Sequence, residues 1–290
     1  QRNQGDFKID NSSSSFESSL SKNFPLNTEL ESYLTFRGKA KGSWLLSVSP
    51  NSESFSVRTR HSFISLPDEG YKPRKFDPRA GYGAMTFYDY ASPIEDDLHV
   101  KYIRRHRLIK KYPEKEVSEA VEPIIYYLDR GVPEPVKSAL LDGGAWWNEA
   151  FEAAGFKNAF QIKVLPEGAD MLDVRYNVIQ WVHRSTRGWS YGSSVVDPRT
   201  GEIIKGHVSL GSLRVRQDYL IAEGLLRPYG KENHPDDLMK EMAIKRLRQL
   251  SAHEIGHTLG LSHNFISSAR ERKSVMDYPH PLIKFSENKI

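Results

Sequence analysis

The sequence predicts an α+β protein in two parts: a mainly antiparallel β region over residues 1–115, then a mixed, mainly parallel sheet with a long helix over 116–290. Three observations carry that expectation. Short aromatic and β-branched runs, punctuated by Pro, Gly and Asp, fill residues 27–111, the pattern of antiparallel strands. From Pro123 the chain alternates strand-like and helix-like pieces, as crossovers in a mixed sheet require. Near the C-terminus a long helical run ends in three closely spaced histidines, His253, His257 and His263.

Taken in order, residues 1–25 are polar and serine-rich and read as a mobile lead-in or a loop. Strands are expected over 30–36, 44–48, 55–66, 85–90 and 100–108. No catalytic cluster falls among them; His61, His99 and His106 are scattered and read as packing or surface residues. The basic run Arg104, Arg105, His106, Arg107 with Lys110 and Lys111 reads as a solvated strand end. The charged stretch 114–119 then places a domain boundary near residue 115.

Beyond it, 124–128 is a compact apolar strand and 133–154 a helix, with Val136, Leu140, Trp147 and Phe151 at helical spacing. Gly143 and Gly144 are expected to weaken its middle. Strands follow over 160–165 and 178–183, then a hairpin of 191–196 and 202–210 around the turn 197–201. Residues 213–226 are expected to be helical. Pro235, Asp236 and Asp237 begin the long helix, with acids at its positive end. Met239, Met242, Ala243 and Leu250 lie near the angular position of His253 and His257, while Ala252, Ile255 and Leu259 occupy another face. Apolar residues around so much of the circumference mean burial.

Bulk properties exclude several classes. With 290 residues the chain can bury a large core, and no apolar run approaches the roughly 20 residues of a membrane span. The 41 basic and 37 acidic residues are interspersed for a net charge of +4, which gives no footprint for nucleic acid. There is no cysteine, so no disulfide forms and no propeptide thiol can cap a metal. An exported location stays open, because a core this size holds without staples. The chain begins at Gln1 without an apolar signal segment, as a processed chain or a piece of a longer one would.

The chemistry lies in His253-Glu254-Ile255-Gly256-His257-Thr258-Leu259-Gly260-Leu261-Ser262-His263. On a helix, residues four apart share a face, so His253 and His257 can reach one metal ion. Gly260 can take a positive φ, end the helix and swing the chain back to deliver His263. Three neutral nitrogens and one open position describe a catalytic zinc site rather than a closed structural one. Glu254 is placed to hold a water and act as general base. The pair of histidines alone is a moderate signal. The glycine, the third histidine and the downstream Ser274-Val275-Met276-Asp277-Tyr278-Pro279 make it specific. His183 and His207 fall on expected strands and read as non-ligands.

This stretch resembles the metzincin zinc peptidases. More narrowly, the chain is similar to large bacterial zinc-dependent metalloproteases of the Bacteroidetes type, which carry an N-terminal domain of unknown function. The segments that match that pattern are 24–29, 76–79, 105–108, 146–151, 187–192, 197–202 and 263–265. The resemblance implies one catalytic Zn2+ on His253, His257 and His263, a metzincin-like sheet with one antiparallel edge strand, and a Met-turn with Met276 as an apolar floor. Tyr278 would ligate the ion, steady an oxyanion or simply pack after the turn. The strand over 191–195 would pair with an extended protein or peptide substrate, or serve only as a hairpin strand. Export is implied as well, and the position of the N-terminal region suggests that it covers the cleft. Metzincins usually carry a further helix after the Met-turn, so the natural protein is expected to be longer. Two other readings stand beside the peptidase: a non-catalytic peptide- or glycan-binding surface module, and a zinc hydrolase of a non-peptide amide. The sequence is silent on oligomeric state and substrate side-chain preference.

Overall fold

The computed structural model describes residues 4–184, 189–226, 236–278 and 282. Arg187, Gly188, Pro235 and Pro279, all singled out in the sequence, lie outside the described residues, as do the side chains of Asp236 and Asp237. The chain forms two compact units: Gln1–Leu66 with Leu172–Val174, and Pro67–Met171 with Arg175–Ile290.

The first unit is built on one long strand. Its elements are β1 (Gly5–Ile9), β2 (Ser15–Phe16), β3 (Lys22–Asn23), β4 (Asn27–Ala40), the short helix α1 (Ser43–Val48) and β5 (Ser54–Ile64). β1, β2, β3 and β5 all pair antiparallel to β4. Across that sheet Phe55 stacks on Phe36 and meets Phe7 edge to face. Farther along, β4 buries carboxylates: Glu31 is bound by Arg60 at 2.7 Å and Glu29 accepts from the Ser62 hydroxyl at 2.6 Å.

Two expectations fail here. Residues 1–25 are not only a lead-in, because three short strands within them use backbone groups of β4. The strand expected over 44–48 is helical. β4 and β5 pair directly from Arg37↔Ser54 onward, so the connecting residues have no sheet neighbour. They satisfy their backbone within the helix, through Leu46 N–H to Gly42 and Ser49 N–H to Leu45, and at its start through Gln4, which accepts from the N–H groups of Lys41, Gly42 and Leu45.

The second unit opens with the hairpin of β6 (Ala84–Tyr88) and β7 (His99–Ile103). β8 (Ser118–Glu119) pairs parallel with β10 (Phe156–Lys157). The main sheet comprises β9 (Ile124–Leu128), β11 (Phe160–Val164), β12 (Asn177–Val182), β13 (Tyr191–Val196) and β14 (Ile203–Gly211), in the order β11-β9-β12-β14-β13. The first four are parallel neighbours; β13 runs antiparallel along β14 at the edge. Among the described residues the unit also carries the α-helices α2 (Val136–Ala153), α3 (Leu213–Leu226) and α4 (Asp236–Thr258). Among the described residues no helix is long and apolar enough to cross a membrane.

The core forms where alternate residues of β9, Ile124, Tyr126 and Leu128, meet Leu140 of α2 and Leu247 and Ile255 of α4. Burying such side chains contributes about 1.5–3 kcal/mol each. α4 is wholly buried from Ser251 to Gly256, but its first half keeps an exposed face at Leu238, Lys240, Glu241 and Lys245, so the burial expected all round holds only near its C-terminal end. The Trp147 indole donates to Ala252 O at 2.8 Å and the Ser251 hydroxyl to Leu140 O at 2.7 Å, which holds α4 against α2.

Gly143 and Gly144 have a different role from the one expected. A Cβ on Gly143 would lie 2.1 Å from the Arg248 carbonyl oxygen, and one on Gly144 2.5 Å from Ile162 Cδ1. Gly143 lets α2 approach the α4 backbone and Gly144 makes room for the Ile162 side chain of β11; the helix tolerates them because packing outweighs propensity.

The boundary expected near residue 115 falls inside this second unit. Residues 104–107 do not form a solvated strand end. Arg105 bridges to Glu202, and Arg107 pairs with the Glu202 carboxylate at 2.8 and 2.9 Å. His106 is half-buried and packs edge-on against the Tyr126 ring. The run looks solvated in sequence because its partner carboxylate lies far along the chain.

Gly143→Ala is expected to destabilise the protein by about 1–3 kcal/mol, the cost of overpacking, despite alanine's helix preference of roughly 1 kcal/mol. Urea denaturation measures it; an increase in stability would contradict the close-approach role.

Candidate metal centre

The last turn of α4 projects His253 and His257 to one side, four residues apart. Gly260 then takes φ 99°. Its N–H bonds to His257 O at 3.0 Å and the Leu261 N–H to Gly256 O at 3.0 Å, which closes the helix and turns the chain back. The returning chain carries His263. The Nε2 atoms of His253 and His257 are 3.2 Å apart, and those of His257 and His263 are 3.0 Å apart.

The protonation pattern of these rings follows from their other nitrogens. His253 Nδ1 lies 2.7 Å from Val275 O and His257 Nδ1 2.9 Å from Leu261 O. A carbonyl oxygen only accepts, so each Nδ1 carries the proton and each Nε2 presents a lone pair. Burial pulls His253 down to about 4 and lowers His263 as well, which favours neutral rings at neutral pH.

Lone pairs directed at one another at 3.0–3.2 Å repel unless a cation lies between them. Two nitrogens on one tetrahedral zinc, at about 2.0–2.1 Å each, sit roughly 3.3 Å apart. The donor set therefore fits a divalent ion. Among the described residues these three histidines are the group that could hold one.

Among the described residues, the other histidines are engaged elsewhere. His183 Nδ1 contacts the Ser212 hydroxyl at 2.9 Å, His207 Nε2 the Gln180 side chain at 3.2 Å, and His106 Nε2 the Tyr126 hydroxyl at 3.3 Å. His61 lies in the β4–β5 ladder and His99 stacks on Tyr88.

Glu254 is buried beside the histidines. Burial raises its carboxyl to about 7, against the opposing pull of the Gly192 N–H and the Arg214 charge. Gly192 belongs to the edge strand β13, where a Cβ would lie 2.1 Å from Glu254 O. The edge strand and the backbone of α4 thus come together at Glu254 only because this residue lacks a side chain.

The floor comes from the turn over 274–278. Met276 is buried, and its sulfur lies so near Gly256 that a Cβ there would come within 2.3 Å. Met276 N–H bonds to the Ser274 hydroxyl at 3.1 Å, and Asn264 N–H to Met276 O at 2.9 Å, tying the turn to the residue after His263. Asp277 is buried and accepts from Ser267 and Ser268 at 3.0 and 2.6 Å. Those bonds, the Ser268 hydroxyl first, hold its carboxyl below the usual range. The Tyr278 ring packs 4.6 Å from His263 and 5.1 Å from His253, centroid to centroid.

The residues singled out in the sequence, His253, Glu254, His257, His263, Met276 and Tyr278, therefore meet in one place. Sequence reasoning missed the supporting groups. Val275 O and Leu261 O are backbone atoms with no sequence signal. Gly192 had one only in part, as a glycine in a strand, and the serine partners of Asp277 lie nine and ten positions before it, too far apart for a local pattern.

Residues 235–290 match the family described as Met-zincin, and residues 1–111 match one described as Domain of unknown function (DUF5117). No curated protein matches the chain. The chain thus joins a Met-zincin region to an N-terminal domain of unknown function, the pairing that the sequence resemblance implies. Residues 112–234, with the whole main sheet, lie outside these two matches.

Zinc at 1,000 times its dissociation constant is expected to stabilise the protein by about 4 kcal/mol, seen as a raised Tm. His263→Ala should remove most of that shift. A wild-type Tm indifferent to zinc and to chelator would count against the site.

Proposed function

We propose that the protein is a zinc-dependent endopeptidase with His253, His257 and His263 as the metal ligands. The observation that carries this reading is the convergence of Nε2 lone pairs beside a buried carboxylate. The Met-zincin match supports a metallopeptidase at the level of the family. When bound, the ion supplies Lewis acidity, acidifying a water and polarising the scissile carbonyl.

The chain's own groups do the rest. Glu254 takes the proton from the attacking water and returns it to the leaving amine. Burial suits it to that work, since a carboxyl lifted toward neutrality is a stronger base than an exposed one. A cation nearby would draw it partly back toward the ionised form. The Tyr278 ring, packed on two of the histidines, is placed to steady the developing oxyanion or to reach the ion itself.

Substrate binding falls to β13. It pairs with β14 on one side and, among the described residues, with no strand on the other. An extended peptide can add there through its main chain. Because Gly192 touches the Glu254 backbone, a peptide on that edge passes beside the base. Export, implied by the family resemblance, belongs to the same proposal. An accessory role for the N-terminal region belongs to it as well.

Glu254→Ala is expected to keep one zinc per chain and to lose about 10²–10⁴-fold in kcat on a peptide-library or casein digest. Chelator should abolish the wild-type activity and zinc restore it. Full activity of zinc-loaded Glu254→Ala would remove Glu254 from the mechanism.

A further inference from the structure

The turn that delivers the third histidine does not stand alone. Residues 260–262 have helix-closing bonds on one side, through the N–H groups of Gly260 and Leu261. On the other side they pair with residues 81–83. Gly83 N–H donates to Gly260 O at 2.7 Å, and Ser262 N–H donates to Gly81 O at 2.8 Å. Tyr82 and Leu261 are antiparallel bridge partners between those bonds. The opposite flank is closed by Arg104, whose carbonyl oxygen would lie 1.9 Å from a Cβ on Gly260. Arg104 N–H in turn bonds to Gly83 O at 3.0 Å.

These contacts reach two of the three ligands. Leu261 O is the acceptor that sets the His257 tautomer, so whatever holds Leu261 aims His257. Ser262 directly precedes His263, so whatever holds Ser262 sets where His263 arrives. His106, two residues after Arg104, also bonds to the backbone of Thr258, the last residue of α4. The next contacts run to the hairpin that carries the edge strand: Ile203 N–H bonds to Arg105 O at 2.9 Å, and Arg107 clasps Glu202.

Residues 81–107 all lie within the match to the domain of unknown function, yet they belong to the compact unit that holds the metal centre. We propose that this segment, through the strap at residues 81–83, is a positioning element of the metal centre, fixing the 260–262 turn so that His257 and His263 meet His253. The inference rests on the zinc reading above. The strap touches no substrate; it acts through the ligands. The tail of the N-terminal match is thus part of the metal scaffold, and a chain beginning near residue 116 would lack it.

The test uses the full chain with Gly83→Pro and Gly83→Ala. Both place a Cβ against the Arg104 guanidinium, the movable end of a long side chain. Only proline removes the N–H that bonds to Gly260 O. Zinc affinity is read by competition with a chelator, the coordination sphere by the visible spectrum of the Co2+-loaded protein, and the global fold by the Tm of the metal-free protein.

Gly83→Pro is expected to lose about tenfold to a hundredfold in zinc affinity, the usual cost of loosening a ligand's support, with an altered Co2+ spectrum. Gly83→Ala should stay near wild type. Hydrogen exchange on wild-type protein guards against a proline variant that fails to fold: zinc should slow exchange of the amides in 81–84 and 260–262 together. Wild-type affinity and spectrum in Gly83→Pro, or zinc protection confined to the histidine turn, overturns the proposal. A wild-type protein that binds no zinc overturns the metal reading itself, and the strap with it.

Discussion

Three imidazole nitrogens aimed at one point impose the constraint on which the second unit depends. Neutral rings at 3.0–3.2 Å with facing lone pairs gain nothing from one another. Their arrangement persists only if the backbone that carries them is held from outside. The structure supplies that holding at each ligand. His253 is oriented by Val275 O, His257 by Leu261 O, and His263 follows a turn bonded on both sides. The supports come from two backbone segments, the 260–262 turn and the turn at Val275, so the site is as rigid as the packing that holds those segments.

That packing is close because side chains are missing where helices and strands approach. α2 reaches α4 over Gly143, and Met276 reaches α4 over Gly256. The cost in helix propensity at each glycine is of order 1 kcal/mol. It is offset by the burial of Leu140, Leu247 and Ile255 in the same interface. A buried helix also lifts the Glu254 carboxyl, so one packing arrangement both steadies the ligands and tunes the neighbouring acid.

The match boundary and the structural boundary differ in an instructive way. The segment after Leu66 belongs by sequence match to the N-terminal domain, but its hydrogen bonds go to the hairpin β13–β14 and to the end of α4. Charge makes the same point. Arg107 and Glu202 neutralise one another although 95 positions separate them. Neither residue, read in its own neighbourhood, suggests a partner.

The sequence by itself determined the ligand helix, the glycine turn and the identity of the converging residues, because these depend on spacings within a dozen positions. It also determined the α+β class, since strand and helix periodicities are local. Tertiary structure decided what no local pattern encodes: that 44–48 coils into a helix for want of a sheet neighbour, and that residues 1–25 lend strands to β4. It decided too that two glycines serve contact rather than weakness, and that residues 81–83 back the histidine turn. The physical reason is the same throughout. Backbone carbonyls and amides look alike at every position, so their partners are chosen only when distant segments are brought together.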